Sequence, residues 1–139
     1  MPDLNLDPFL LIPLAFVLAL MAMPVVSRKI WGPVRYTPVH EVYRSMMSDD
    51  PVAVIDIRNT KAYRQGTIPG AVNVPPADLD AFLQERGLSE TPVALVCQSD
   101  LNATRHAARL LKQGRTNVTA MKGGMFAWMR AKYPVKAPA

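Results

Sequence analysis

Residues 8 to 26, PFLLIPLAFVLALMAMPVV, carry no charged side chain. As a helix rising ~1.5 Å per residue the run spans roughly 28 Å, close to the ~30 Å hydrocarbon core of a bilayer. A signal peptide and a buried core helix are the competing readings. A signal peptide wants a basic start and a shorter apolar stretch. This chain opens MPDLNLD, with Asp3 and Asp7 and no Lys or Arg. The run therefore predicts one transmembrane helix over 8–26, behind an N-terminal tail over 1–7. Pro13 and Pro24 are expected to kink or end that helix, although membrane helices tolerate proline better than soluble ones.

The flanks set an orientation. Arg28, Lys29 and Arg35 follow the span, whereas only Asp3 and Asp7 precede it. The positive-inside rule then puts the N-terminus outside and the C-terminal domain in the cytoplasm. Residues 27–35 read as a basic juxtamembrane linker containing Gly32 and Pro33, and Trp31 and Tyr36 have rings suited to headgroup depth. The net charge of +5 is accounted for by these residues and by a basic surface near anionic lipid. No nucleic-acid motif is present. A single cysteine excludes an intrachain disulfide and a multi-cysteine metal site, and it suits a reducing compartment. Neither a metal nor a cofactor is expected.

Residues 36–135 alternate between strand and helix patterns. Thr37-Pro38 reads as a helix start, a capping hydroxyl followed by proline in the first turn. The helix VHEVYRSMM runs to about Ser48, before Asp49, Asp50 and Pro51 break it. VAVIDI over 52–57 is a β-branched run of the kind found in buried parallel strands. RNTKAYRQG holds one helical turn, TIPGAVNVP is turn, strand and turn, and ADLDAFLQER is helical to Gly87. PVALVC over 92–97 is a second buried strand, TRHAARLLKQ over 104–113 a helix, and NVTAM over 117–121 a third strand. KGGMFAWMRAKYPV opens on two glycines and continues as a short helix. The alternation predicts an α/β domain with a central parallel sheet flanked by helices. The tail KAPA, 136–139, is expected to be disordered.

The order of these pieces resembles the rhodanese domain, over about residues 36 to 135. Three motifs carry the resemblance. The first is VAVIDIRNTKAYRQGTIPGAVNVP, with Asp56, Arg58, Tyr63, Gly66, Ile68, Pro69, Gly70, Ala71 and Asn73. The second is ALVC before a loop and then AARLL. The third is NVTAMKGGMFAW, with Gly123, Gly124 and Trp128. Ile68-Pro69-Gly70 forms a tight turn that returns the chain to the sheet. Asp56 is expected to accept backbone N–H bonds and Arg58 to pair locally, at a strand end where open α/β sheets place their sites. Gly123 and Gly124 are expected to be a close-packing turn, not a phosphate loop.

The resemblance implies a sulfurtransferase whose catalytic residue is Cys97. Its thiolate takes sulfur from a donor, becomes a persulfide, and passes the outer sulfur to an acceptor. Backbone amides of Gln98, Ser99, Asp100, Leu101, Asn102 and Ala103, together with a helix N-terminus, would hold the anionic sulfur. Asp56, Arg58 and Arg105 are the supporting candidates. The loop departs from the family pattern of cysteine, two residues, glycine, one residue, arginine, serine. Asp100 stands where glycine is usual and Asn102 where arginine is usual. Aligning Ala107, Ala108 and Leu111 with the family helix suggests one extra loop residue. Thr67 replaces a frequent histidine. A carboxylate ~6 Å from the sulfur, at an effective dielectric of ~20, opposes a thiolate by roughly 3 kcal/mol, and by less than ~1 kcal/mol if it points into water. These changes predict a poor site for a small dianion such as thiosulfate.

Several narrower readings follow. A related class of cysteine phosphatases needs an arginine six residues after the cysteine to clamp phosphate; position 103 is alanine, which excludes that chemistry. Ser99, Asn102 and Thr104 suit loop formation or helix capping. His106 is expected on the helix surface, and His40 has no evident role. With one cysteine, the acceptor must be an external thiol, on a small molecule or a protein. The rival to the enzyme is a degenerate module, anchored in the lipid bilayer as a binding or accessory subunit of a larger membrane complex. A further alternative is redox or sulfide sensing through Cys97.

Overall fold

The computed structural model describes residues 8–31 and 33–138, without the side chains of Pro8, Leu10 and residues 25–31. They divide into two compact units, one up to Pro33 and one from Val34 onward. The expected tail over 1–7, and the side chains of Arg28, Lys29 and Trp31, lie outside the described residues.

The first unit holds one helix, α1, Pro8–Trp31, 24 residues long. Pro13 and Pro24 both lie inside it and neither ends it, although each lacks the N–H that a helix interior uses. Side chains are described without a break from Leu11 to Pro24, all exposed, over about 21 Å of axis. Among the described residues no helix is long and apolar enough to cross a membrane; within the expected span of 8–26 the side chains of Pro8, Leu10, Val25 and Val26 lie outside those described.

The second unit is an α/β domain. In chain order its elements are β1 Tyr36–Thr37, α2 Val39–Ser45, β2 Ala53–Asp56, α3 Thr60–Gln65, β3 Val72–Asn73 and α4 Leu79–Glu85. There follow β4 Val93–Val96, α5 Asp100–Lys112, β5 Val118–Met121 and α6 Gly124–Arg130. The five strands form one sheet in the order β1-β5-β4-β2-β3, with every pairing parallel. Both faces are covered, which is why the central strands β2, β4 and β5 are mostly apolar. Alternate side chains still part to opposite sides, as the two-residue period of a strand requires. Ile55, Leu95, Cys97 and Ala120 share a core with Leu83 of α4 and with Ala107 and Leu110 of α5. Val54, Ala94, Val96 and Met121 pack with Val42 of α2 and with Met125 and Trp128 of α6. Each fully buried large side chain contributes about 1.5–3 kcal/mol.

Three sequence expectations need correction. Thr37 does not cap a helix. It lies in β1, its hydroxyl bonds that of Thr119 at 2.6 Å, and the N-cap of α2 is Pro38, without a side-chain cap. Second, α5 starts at Asp100 rather than Thr104, so Asp100, Leu101, Asn102 and Ala103 form its first turn and no extended loop precedes it. Asp100 suits that place, because a carboxylate in a first turn faces the positive end of the helix dipole. Third, the tail is held at Lys136, which forms an antiparallel bridge with Thr67 through bonds of 2.8 and 2.9 Å; Ala139 lies outside the described residues.

His106, on α5, is half-buried, and its Nδ1 has no hydrogen-bond partner. Burial, and then the charges of Arg109 and Arg105, hold its pKa below the ordinary 6.5. The native state thus prefers the neutral ring while the unfolded chain binds the proton more tightly, so this contribution to stability is complete above pH 6.5 and is lost as the pH falls through the folded value. Thermal midpoints measured from about pH 8 down to about pH 5 are expected to fall less in His106→Gln than in the wild type.

Candidate active site

The site lies where two chain directions part. After β2 the chain moves outward to β3, and after β4 it moves outward the other way to β5. Open parallel sheets form a crevice at the carboxyl ends of two such neighbouring strands. Here β2 delivers Asp56 and Arg58 to it, and β4 delivers Cys97.

Cys97 is a free thiol with 8% of its surface exposed. Only Gln98 and Ser99 separate it from α5. Ser99 is the N-cap, in extended conformation, and its side chain caps nothing. The opening turn of a thirteen-residue helix therefore begins beside the cysteine with no side chain capping it from Ser99, and its amides favour an anion. The Cys97 carbonyl accepts from the Met125 N–H at 2.9 Å and the Gln98 carbonyl from the Phe126 N–H at 3.2 Å. The start of α6 thus clamps the backbone of this loop. Gly124 makes the approach possible. A Cβ there would lie 2.6 Å from the Cys97 carbonyl oxygen and 2.8 Å from that of Gln98, at a φ of +58°. The paired glycines are a close-packing turn, as the sequence suggests.

Asp100 is turned toward that same turn, where its Oδ2 accepts the Gly123 N–H at 3.3 Å. The acid is therefore neither a loop residue nor aimed into open water; it joins the start of α5 to the start of α6. Thr104 donates its hydroxyl to the Asp100 carbonyl at 2.7 Å and, at 3.2 Å, bonds the Tyr36 hydroxyl.

Asp56 is fully buried. Its carboxylate accepts the Arg58 backbone N–H, the Arg58 Nε and Nη2, and the Thr67 hydroxyl, at 2.6–3.1 Å. Arg58 Nη2 also donates to the Gly66 carbonyl at 2.6 Å, and Nη1 to Gln98 Oε1 at 3.3 Å. Asn73 donates to the backbone carbonyls of Asp56 and Arg58. The guanidinium thus braces the loop through Gln98 while its Nε and Nη2 serve Asp56 and Gly66. Arg105 falls in the second turn of α5 and acts on His106 through its charge.

The structure gathers Asp56, Arg58, Gln98, Asp100 and Cys97 at one end of the sheet. Sequence reasoning missed two partners there, the Arg58–Gln98 link and the Thr67–Asp56 bond. Thr67 carried a signal, since it occupies the place before the Ile-Pro-Gly turn. Gln98 carried none beyond adjacency to the cysteine. A separate cavity of about 550 Å³ is lined by Asp80, Gln84, Glu90, Arg115 and Asn117 among others. It lies at the amino ends of β4 and β5 and holds no cysteine, so its size does not make it the reactive centre.

The sequence model of the rhodanese-like domain matches residues 39–131. The chain is 30% identical over 86 residues to a thiosulfate sulfurtransferase, GlpE, of Pseudoalteromonas translucida, a match covering 62% of this chain and 81% of that protein. It is 32% identical over 93 residues to a sulfurtransferase of Allochromatium vinosum, covering 64% and 82%. In fold it resembles a thiosulfate sulfurtransferase from Pseudomonas aeruginosa, with a TM-score of 0.70 and 22% identity, over 76% of this chain and 21% of that one.

Proposed function

The chain belongs to the rhodanese-like domain family, and from that premise we propose that it is a membrane-anchored sulfurtransferase that carries sulfane sulfur as a persulfide on Cys97. The observation that carries this reading is the placement of the only cysteine. It stands at the carboxyl end of the central strand, with two residues between it and a helix whose N-cap side chain is unused. In the first half-reaction the Cys97 thiolate attacks the outer sulfur of the donor. A bond forms between the two sulfurs, and the donor's remaining fragment leaves with the electron pair. In the second, an acceptor thiolate attacks that outer sulfur and the Cys97 thiolate is released. The amides of the loop and of the opening turn of α5 would meet negative charge in both states, and the helix dipole favours it. The bracing of Gln98 by Arg58 and the clamp from α6 keep those amides fixed, so that little reorganisation accompanies the step.

The test is intact-mass measurement of the full chain in mild detergent after exposure to a sulfane-sulfur donor, against an active control. The wild type is expected to gain one sulfur atom, discharged by added thiol, and Cys97→Ser to gain none. A wild type that stays unloaded while the control loads sinks the proposal.

The anchor is supported by the charge-free sequence over 8–26 and by the continuity of α1, about 36 Å long over its 24 residues. Arg28, Lys29 and Arg35 on its C-terminal side support a cytoplasmic domain. Alkaline extraction of membranes is expected to leave the chain in the pellet, and protease added to sealed inverted vesicles to digest the domain. Release by alkali removes the anchor from the proposal.

A further inference from the structure

The surroundings of Cys97 bear on which donor it meets. A thiosulfate-like dianion needs positive charge at the loop. The guanidinium that reaches the loop, that of Arg58, contacts it through Gln98, while its charge is paired with the buried Asp56 carboxylate and its Nη2 also serves Gly66. Lys122, at the carboxyl end of β5, has its ammonium 5.8 Å from the centre of the Tyr36 ring. Arg105 has a partner of its own. The charged side chain within the first turn of α5 is an acid, Asp100. Its carboxylate, at the start of the helix that follows the cysteine, is bound to Gly123, and a negative charge there disfavours added negative charge on a donor.

The helix starts next to the loop also carry exposed apolar side chains. Leu101, in the first turn of α5, is 59% exposed, and Phe126, in the first turn of α6, is 58% exposed. The Phe126 N–H is bonded to the residue after Cys97, which fixes this ring's backbone beside the loop. Two large apolar side chains are thus exposed on the two helix starts whose backbone adjoins the Cys97 loop.

We infer that Cys97 is selective for sulfane-sulfur donors with an apolar body and at most one negative charge, with Leu101 and Phe126 as the specificity-determining residues and Asp100 excluding dianions. This rests on the persulfide reading above. The reaction is Cys97 thiolate plus a thiosulfonate anion giving the Cys97 persulfide anion and a sulfinate. The new S–S bond forms as the donor's S–S bond breaks, the sulfinate keeps the electron pair, and no oxidant is consumed.

Three donors separate charge from apolar area: thiosulfate, methanethiosulfonate and benzenethiosulfonate. Loading rates of the full chain in detergent are measured by mass and divided by each donor's rate with free N-acetylcysteine. Benzenethiosulfonate is expected to exceed methanethiosulfonate by about tenfold, since a partly buried ring is worth about that factor, and thiosulfate to be slowest. The double change Leu101→Ser, Phe126→Ser is expected to bring the aromatic preference to within about twofold of the free thiol, whereas Phe126→Leu keeps most of it. Asp100→Asn retains an acceptor for Gly123 and is expected to speed thiosulfate more than either monoanion, by about threefold. Thiosulfate loading as fast as benzenethiosulfonate overturns the inference and leaves the sulfurtransferase intact. So does an aromatic preference untouched by the double change in a protein with wild-type thermal midpoint. Loading by none of the three donors overturns the persulfide reading itself.

Discussion

Gly124→Ala is expected to destabilise the domain by about 3–5 kcal/mol and to abolish sulfur loading on Cys97. Two costs add. A φ of +58° is strained for any residue with a Cβ, at about 1–2 kcal/mol. The new methyl group also meets two backbone oxygens at 2.6 and 2.8 Å. Backbone cannot swing aside as a flexible side chain does, so either α6 backs away or the Cys97 loop is pushed out of place. Both outcomes break the bonds from Met125 and Phe126 to the Cys97 and Gln98 carbonyls. Gly114→Ala is the control. It has a φ of +91° and open space around the added atom, so its cost is the conformational part alone, about 1–2 kcal/mol. Urea unfolding of both variants, with loading measured on the folded fraction, checks the difference. Equal losses would remove the collision from the account.

Asp56→Ala should cost about as much for a different reason. It leaves the Arg58 guanidinium, 8% exposed, without its carboxylate, and breaking one side of a buried ion pair costs about 3–5 kcal/mol. Thr67 and the Arg58 backbone N–H lose the same acceptor. Replacing both charges by apolar side chains of similar volume, as in Asp56→Leu with Arg58→Met, removes the stranded charge, and much of the stability is expected to return. The double variant also loses the brace on Gln98, so stability is expected to recover further than loading does. Denaturant midpoints and loading rates across the two single variants and the double provide the cycle. Recovery of both together would mean that the cluster acts on the fold alone.

Much of the domain is legible in the sequence because burial on both faces writes the central strands as mostly apolar, β-branched runs. VAVIDI, PVALVC and NVTAM each contain the strand they suggest. Strand β1 has two residues, Tyr36 and Thr37, too few to form a pattern, and its pairing with β5 depends on residues some eighty positions away. The start of α5 was hidden for another reason. Asp100 and Asn102 have side chains that compete with helical backbone. What settles Asp100 into a first turn is an acceptor's place opposite Gly123, a neighbour only in three dimensions. Cys97 is legible as a candidate from its position between strand and helix, and its proposed role from the family resemblance. The exposure of Leu101 and Phe126 was not legible, since apolar residues at helical spacing more often face a core.

The clamp from α6 onto the Cys97 loop also has a meaning in time. A chain emerges from its N-terminus, and domains fold as their segments become available. Strand β4 and its cysteine are synthesised before β5, and β5 before the helix whose amides fix the Cys97 and Gln98 carbonyls. The segment that fastens the loop therefore arrives after the loop it fastens. A nascent chain presents the thiol before its surroundings exist, and under the proposed function it becomes competent for sulfur only when α6 docks.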